Sequence, residues 1–155
     1  CSRFQAPRRT KSVKQTIINA LLLALTLTAA TSAAAPVPRT PAPAGAKVEI
    51  LSPHDGERVQ SPVTVRFGLS GMGVAPAGVP YPNTGHHHLL VDSKLPPIDA
   101  PIPADDRHIH FGKGQTETLI ELPPGTHTLQ LVLGDQNHVP HDPPVVSEPV
   151  TITVE

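Results

Sequence analysis

The sequence predicts an all-β domain, an immunoglobulin-like β-sandwich of about seven strands, and three observations carry that expectation. From residue 46 onward the apolar residues fall in short runs bounded by proline or glycine, the pattern of strands rather than helices. Within several runs apolar and polar residues alternate, as in a sheet with one face on a core and the other in water. The spacing is regular and the corners are proline-rich, which suits a two-sheet sandwich. A small closed β-barrel, cupin-like, is the alternative architecture.

The expected strands, in chain order, are 47–51, 63–69, 87–91, 108–111, 116–122, 126–133 and 150–154. In 63–69 the odd positions Val63, Val65, Phe67 and Leu69 are apolar, so they share one face. The run 127–131 repeats the alternation through Leu129 and Leu131. In 87–91, His87, Leu89 and Val91 share one side, which makes His87 a core residue and turns His86 and His88 the other way. In 108–111, Ile109 and Phe111 anchor the strand in the core and leave His108 and His110 together on the opposite face. The segment Leu122-Pro123-Pro124-Gly125-Thr126-His127 resembles the corner that introduces a late strand in such sandwiches, with His127 in the place a tyrosine often takes. Sharing a face with Leu129, Leu131 and Leu133, His127 is expected to be buried and hydrogen-bonded to turn backbone. His54, in the turn Ser52-Pro53-His54-Asp55-Gly56, is assigned no function.

The N-terminus is of a different kind. Arg3, Arg8, Arg9, Lys11 and Lys14 precede an apolar run over 17–27, and small residues follow at 31–35. This three-part pattern predicts a secretory signal peptide over residues 1–34, cut near Ala33 or Ala34, and hence an exported protein, periplasmic or secreted. The apolar run is too short to span a bilayer comfortably, so no stable membrane span is expected after cleavage. Residues 35–45, rich in proline and alanine, are expected to form an extended, unpaired linker before a single domain over 46–155.

Removing 1–34 takes away the only cysteine and leaves seven Lys and Arg against thirteen Asp and Glu, a formal charge of −6. An acidic domain without a basic patch is not expected to bind nucleic acid. Lacking disulfides, it must rest on an ordinary hydrophobic core, which about 110 residues can supply.

Seven of the nine histidines fall in three clusters: Gly85-His86-His87-His88, His108-Ile109-His110 and His138-Val139-Pro140-His141. Imidazole is the commonest protein metal ligand, and the two strand pairs each put two rings on one side. The third cluster lies in a loop stiffened by Pro140, Pro143 and Pro144, which lowers the entropy of holding a ligand in place. The expected metal ligands are His86, His88, His108, His110, His138 and His141. Imidazoles without thiolates suit Cu(II), Zn(II) or Ni(II), with copper or zinc ion the expected cofactor, and do not suit Mg²⁺ or Ca²⁺. Met72, between two glycines, is read as core filling.

A cupin-like metalloenzyme is a weaker alternative, because His108, His110, Glu117 and the Pro123-Pro124-Gly125-Thr126-His127 string loosely resemble the cupin motifs; no catalytic residue is assigned. A further alternative is a non-catalytic structural or interaction domain of the cell envelope, in contact with another envelope protein, whose histidines only form hydrogen bonds. A pH sensor would follow if most histidines titrated near their unperturbed values.

The strings Gly85-His86-His87-His88-Leu89-Leu90-Val91-Asp92, 108–117 and 133–141 closely resemble the exported bacterial domain-of-unknown-function family 4399 over most of 52–154. That resemblance implies a small exported domain and assigns no activity or site. Storage, delivery or sensing of a transition metal is the function expected from the histidines themselves.

Overall fold

The computed structural model describes residue 35 and residues 37–155. The signal peptide expected over residues 1–34 lies outside the described residues.

Nine strands form among the described residues: β1 (Lys47–Ser52), β2 (Arg58–Val59), β3 (Val63–Ser70), β4 (Gly73–Val74), β5 (Thr84–Val91), β6 (His108–His110), β7 (Glu117–Ile120), β8 (Gly125–Gly134) and β9 (Val150–Val154). The seven expected segments are all strands, and β2 and β4 are two-residue additions. β5 begins three residues before the expected run, so Gly85 and His86 are part of the sheet.

The strands make two open sheets. The smaller has the order β1-β3-β7; the larger has the order β2-β9-β8-β5-β4, with β6 also paired to β5. Neither closes, so the fold is a β-sandwich and not a barrel. Side-chain alternation explains how the sheets meet. Val63, Val65 and Phe67 of β3, Leu89 and Val91 of β5, Leu129, Leu131 and Leu133 of β8, and Ile152 and Val154 of β9 form one buried cluster. Each side chain of that size, fully buried, contributes about 1.5–3 kcal/mol relative to exposure. His87 belongs to this interior, its ring centroid 5.1 Å from that of Phe67, which in turn lies 4.9 Å from Phe111.

The other face of the larger sheet is covered as well. Leu90, Ile102 and Val132 form a second buried cluster, with Val146 packed against it. A sheet buried on both faces explains why β5 is buried at every position from Gly85 to Val91. His86 and His88 therefore face away from the sandwich interior yet are shielded from water.

Residues 35–45 differ from the expected linker. Residues 39–42 are docked rather than unpaired, and residues 44–45 form a turn. Pro41 bridges to Asp142 in parallel. The Ala42 N–H donates to the Asp142 carbonyl at 2.8 Å, and the Asp142 N–H to the Thr40 carbonyl at 2.9 Å. Proline removes donors only at its own positions, so Thr40 and Ala42 remain free to pair.

Candidate metal centre

Three elements converge on the outer face of the larger sheet. β5 supplies His86 and His88, two residues apart and so on one side. β6 pairs antiparallel with β5 so that His110 lies directly opposite His88. Opposed residues share a face, which brings the third ring beside the first two. The loop following β8 supplies the fourth, His138.

The four rings form one group. Ring centroids are 4.8 Å apart for His86 and His88, 5.0 Å for His86 and His110, 5.0 Å for His86 and His138, and 4.8 Å for His110 and His138. His88 lies 5.0 Å from His110 and 5.9 Å from His138. One nitrogen from each of His86, His110 and His138 falls within 4.8 Å of the other two. The Nε2 atoms of His86 and His88 approach to 3.0 Å. Two nitrogens sharing one ion at about 2.0–2.1 Å each stand roughly 3–3.4 Å apart, so closing the trio on an ion asks for side-chain shifts of about 1 Å.

The electrostatic setting keeps His86, His88 and His110 neutral. His86 is pushed down to about 4 by burial, reinforced by His110 and His138 and opposed by Asp135. Burial and the neighbouring rings push His88 down to about 2. His110 is lowered by burial and by His138. Nδ1 of His88 and Nε2 of His110 are buried without a hydrogen-bond partner. A neutral imidazole with an unused nitrogen is the form that ligates a metal.

Two glycines make room for the rings. A Cβ on Gly134, which faces His86 across β5 and β8, would sit 2.9 Å from Nε2 of His88. A Cβ on Gly112 would stand 2.7 Å from Nε2 of His110. Gly134 does not signal its role in the sequence, because what excludes a side chain there is a ring from another strand; at Gly112 the ring is that of His110, two residues back.

Asp135 shapes the loop that carries His138. Fully buried, its Oδ1 accepts the N–H groups of Asn137 at 2.8 Å and Val139 at 3.0 Å. Its carbonyl accepts the His138 N–H at 2.9 Å. An aspartate bonding the backbone two residues on is an Asx turn, and Asp135-Gln136-Asn137 is the sequence signal that could have revealed it. His138 itself sits at φ 67°, in the left-handed region, a conformation that costs of order 1–3 kcal/mol outside glycine and persists where the surroundings fix it.

Four of the six expected ligands thus come together; His108 and His141 stand outside the group. His108 points into a different set of partners: Nδ1 lies 2.7 Å from Oδ1 of Asp105 and Nε2 lies 3.1 Å from Oγ of Ser93. His141 is fully buried, with Nδ1 3.4 Å from the Leu133 carbonyl and Nε2 3.2 Å from the Thr84 carbonyl. Its ring lies between backbone carbonyls of β5 and β8. The looser cupin-like set does not converge either. Glu117 is in the smaller sheet, 3.4 Å from Arg66, whereas His110 is in the larger. His127 points to the corner, with Nδ1 2.7 Å from Oδ2 of Asp92 and Nε2 2.8 Å from the Pro123 carbonyl. A groove elsewhere, bordered by Val48, Ile50, Ser147 and Val150, contains no histidine.

Comparisons with known proteins bear on the family. No curated protein matches the chain. Among solved structures, the chain is similar to the fibronectin(III)-like modules of CbhA from Clostridium thermocellum, with 12% identity, a TM-score of 0.34, and coverage of 69% of this chain and 92% of that one. The family model described as Domain of unknown function (DUF4399) matches residues 65–155. That stretch holds β5, β6 and the loop after β8, all three elements of the histidine group, and the chain belongs to the DUF4399 family.

Proposed function

We propose that this domain binds one transition-metal ion, copper or zinc, through His86, His110 and His138, with His88 against His86 as a fourth ring at the site. The observation that carries this reading is the convergence of four imidazoles from three separate segments, three of them with a nitrogen within 4.8 Å of the others. The neutral rings of His86 and His110 and the unpartnered Nε2 of His110 support it. A ligand set of nitrogen alone suits Zn(II) and copper better than the oxygen-seeking ions. A three-imidazole shell leaves a coordination position for an exchanging ligand, which fits storage, delivery or sensing. An exported location, periplasmic or secreted, follows from the residues expected to form the signal peptide. An envelope protein as the second partner follows from that location. Among the described residues, no helix is long and apolar enough to cross a membrane.

The competing reading is a structural domain whose rings only bond one another, and the 3.0 Å approach of His86 and His88 favours it. Titration separates the two. The chain is expected to take up one equivalent of Zn(II) or Cu(II) at micromolar concentration. The double change His110→Ala and His138→Ala should weaken that binding by at least about a hundredfold, more than the loss of an outer partner of a ligand typically costs. Absence of stoichiometric uptake by the unchanged chain leaves the structural domain as the function.

A further inference from the structure

We propose that residues 39–42, the strap in front of β1, are a positioning element of the histidine site, holding the loop 135–142 in the one shape that presents His138. The inference rests on the metal-binding reading above and adds to it a control on affinity and release.

The strap makes two kinds of contact. Its backbone pairs with Asp142 on both sides of Pro41. Its side chains reach further along the loop. Arg39 spreads its guanidinium over the far end, with Nε donating to the Pro140 carbonyl at 3.2 Å, one terminal nitrogen to the His141 carbonyl, and the other to Oδ1 of Asp142 at 3.1 Å. Only 17% of its side chain is exposed. Thr40 donates from Oγ to Oδ2 of Asp135 at 2.6 Å. That carboxylate is the hub of the loop, since its other oxygen holds the Asn137 and Val139 amides on either side of His138.

The chain of cause is short. Thr40 fixes the Asp135 carboxylate, the carboxylate fixes the turn, and the turn holds His138 at a positive φ that a free loop would leave. A ligand carried on a loop binds in proportion to the fraction of time the loop is in the competent shape. The docked strap keeps that fraction high before any ion arrives. Undocking it would lower affinity and speed release without touching a single ligand. Ile102, whose N–H donates to the His138 carbonyl at 2.8 Å, braces the same residue, so the strap is one of two clamps on it.

The test uses two changes at one position. Thr40→Val removes the hydroxyl and keeps the shape, whereas Thr40→Ser keeps the hydroxyl. Both are placed in the full chain, with Lys47→Ala, at an exposed ion pair outside the strap, as control. Zn(II) affinity and the rate of Zn(II) transfer to a chelator are the readouts, with far-UV circular dichroism to confirm that each variant is folded. Thr40→Val should weaken Zn(II) by about fivefold, the equivalent of one hydrogen bond, and speed transfer by a similar factor, while Thr40→Ser and Lys47→Ala stay near the unchanged chain. Arg39→Ala should act in the same direction as Thr40→Val. Amide exchange should also quicken at Asn137 and Val139 in the metal-free Thr40→Val protein, a readout that does not depend on metal. Unchanged affinity, unchanged release and unchanged exchange in folded Thr40→Val and Arg39→Ala overturn the strap's role while leaving the metal site standing. A chain that takes up no Zn(II) in any form removes the metal-binding reading itself.

Discussion

Two parts of this sandwich treat the same side chain in opposite ways. In the group of His86, His88, His110 and His138, the rings face one another, with no acceptor within reach of Nδ1 of His88 or Nε2 of His110. At the corner before β8, His127 has an acceptor at each nitrogen, the Asp92 carboxylate at 2.7 Å and the Pro123 carbonyl at 2.8 Å. Only a doubly protonated ring can donate to both. The first setting lowers His86, His88 and His110 and leaves lone pairs available; the second raises His127, chiefly through its bond to Asp92. The contrast teaches that what faces the nitrogens, rather than how many histidines stand together, separates a site that can take a cation from one that holds a proton more tightly.

The difference has opposite signs in pH, and this is the largest effect expected in the metal-free protein. Unfolded His86 takes up a proton near its ordinary value of 6.5, while the folded ring waits until about 4. In that interval the unfolded state binds more protons, so stability falls as pH drops, by on the order of 3 kcal/mol for His86 alone. His127 runs the other way. Its folded value lies above 6.5, so its contribution is fully present below that pH and is lost as pH rises through the folded value. Urea unfolding across mildly acid to mildly alkaline pH, with chelator present, should show both limbs. Asp92→Asn should remove the alkaline limb and leave the acid one; persistence of the alkaline limb would show that the corner pair does not produce it.

A smaller effect probes the packing of the ring group. Gly134→Ala places a Cβ 2.9 Å from Nε2 of His88 and 3.4 Å from the His138 Cα. The crowding should cost about 1–3 kcal/mol in urea unfolding and weaken Zn(II) as well. Stability and affinity equal to those of the unchanged chain would mean that the rings can spread without penalty, and that the group is looser than its spacing implies.

The smallest effect sharpens the border of the site. His108 is occupied by Asp105 and Ser93, so His108→Ala should leave Zn(II) affinity within about twofold and cost no more than about 1 kcal/mol, as expected for a partly exposed pair. A loss as large as that of the His110 and His138 double change would put His108 back among the ligands.

Much of this was written in local pattern. Strand alternation is a two-residue rule, so the faces of β3, β5 and β8 could be read directly, including the inward turn of His87 and the shared side of His86 and His88. The corner was legible for the same reason, because Pro123 and Gly125 mark it and His127 follows at a fixed offset. The site was legible only in part. His110 and His108 are equivalent by spacing, and what divides them is register: β6 pairs so that His110 lies opposite His88 and His108 opposite Leu90.

By itself the sequence determined the periodicities, and therefore an all-β chain with its core faces and its clustered imidazoles. The tertiary structure decided which imidazoles meet. It also decided that His141 lies between carbonyls of two strands, that Gly134 stays bare for a ring from another strand, and that residues 39–42 are docked on a loop about 95 positions away. The physical reason is range. Alternation and turn chemistry act over two to four residues and are visible in any window, whereas ligation, close packing and loop docking are agreements between segments whose separation only the folded register closes.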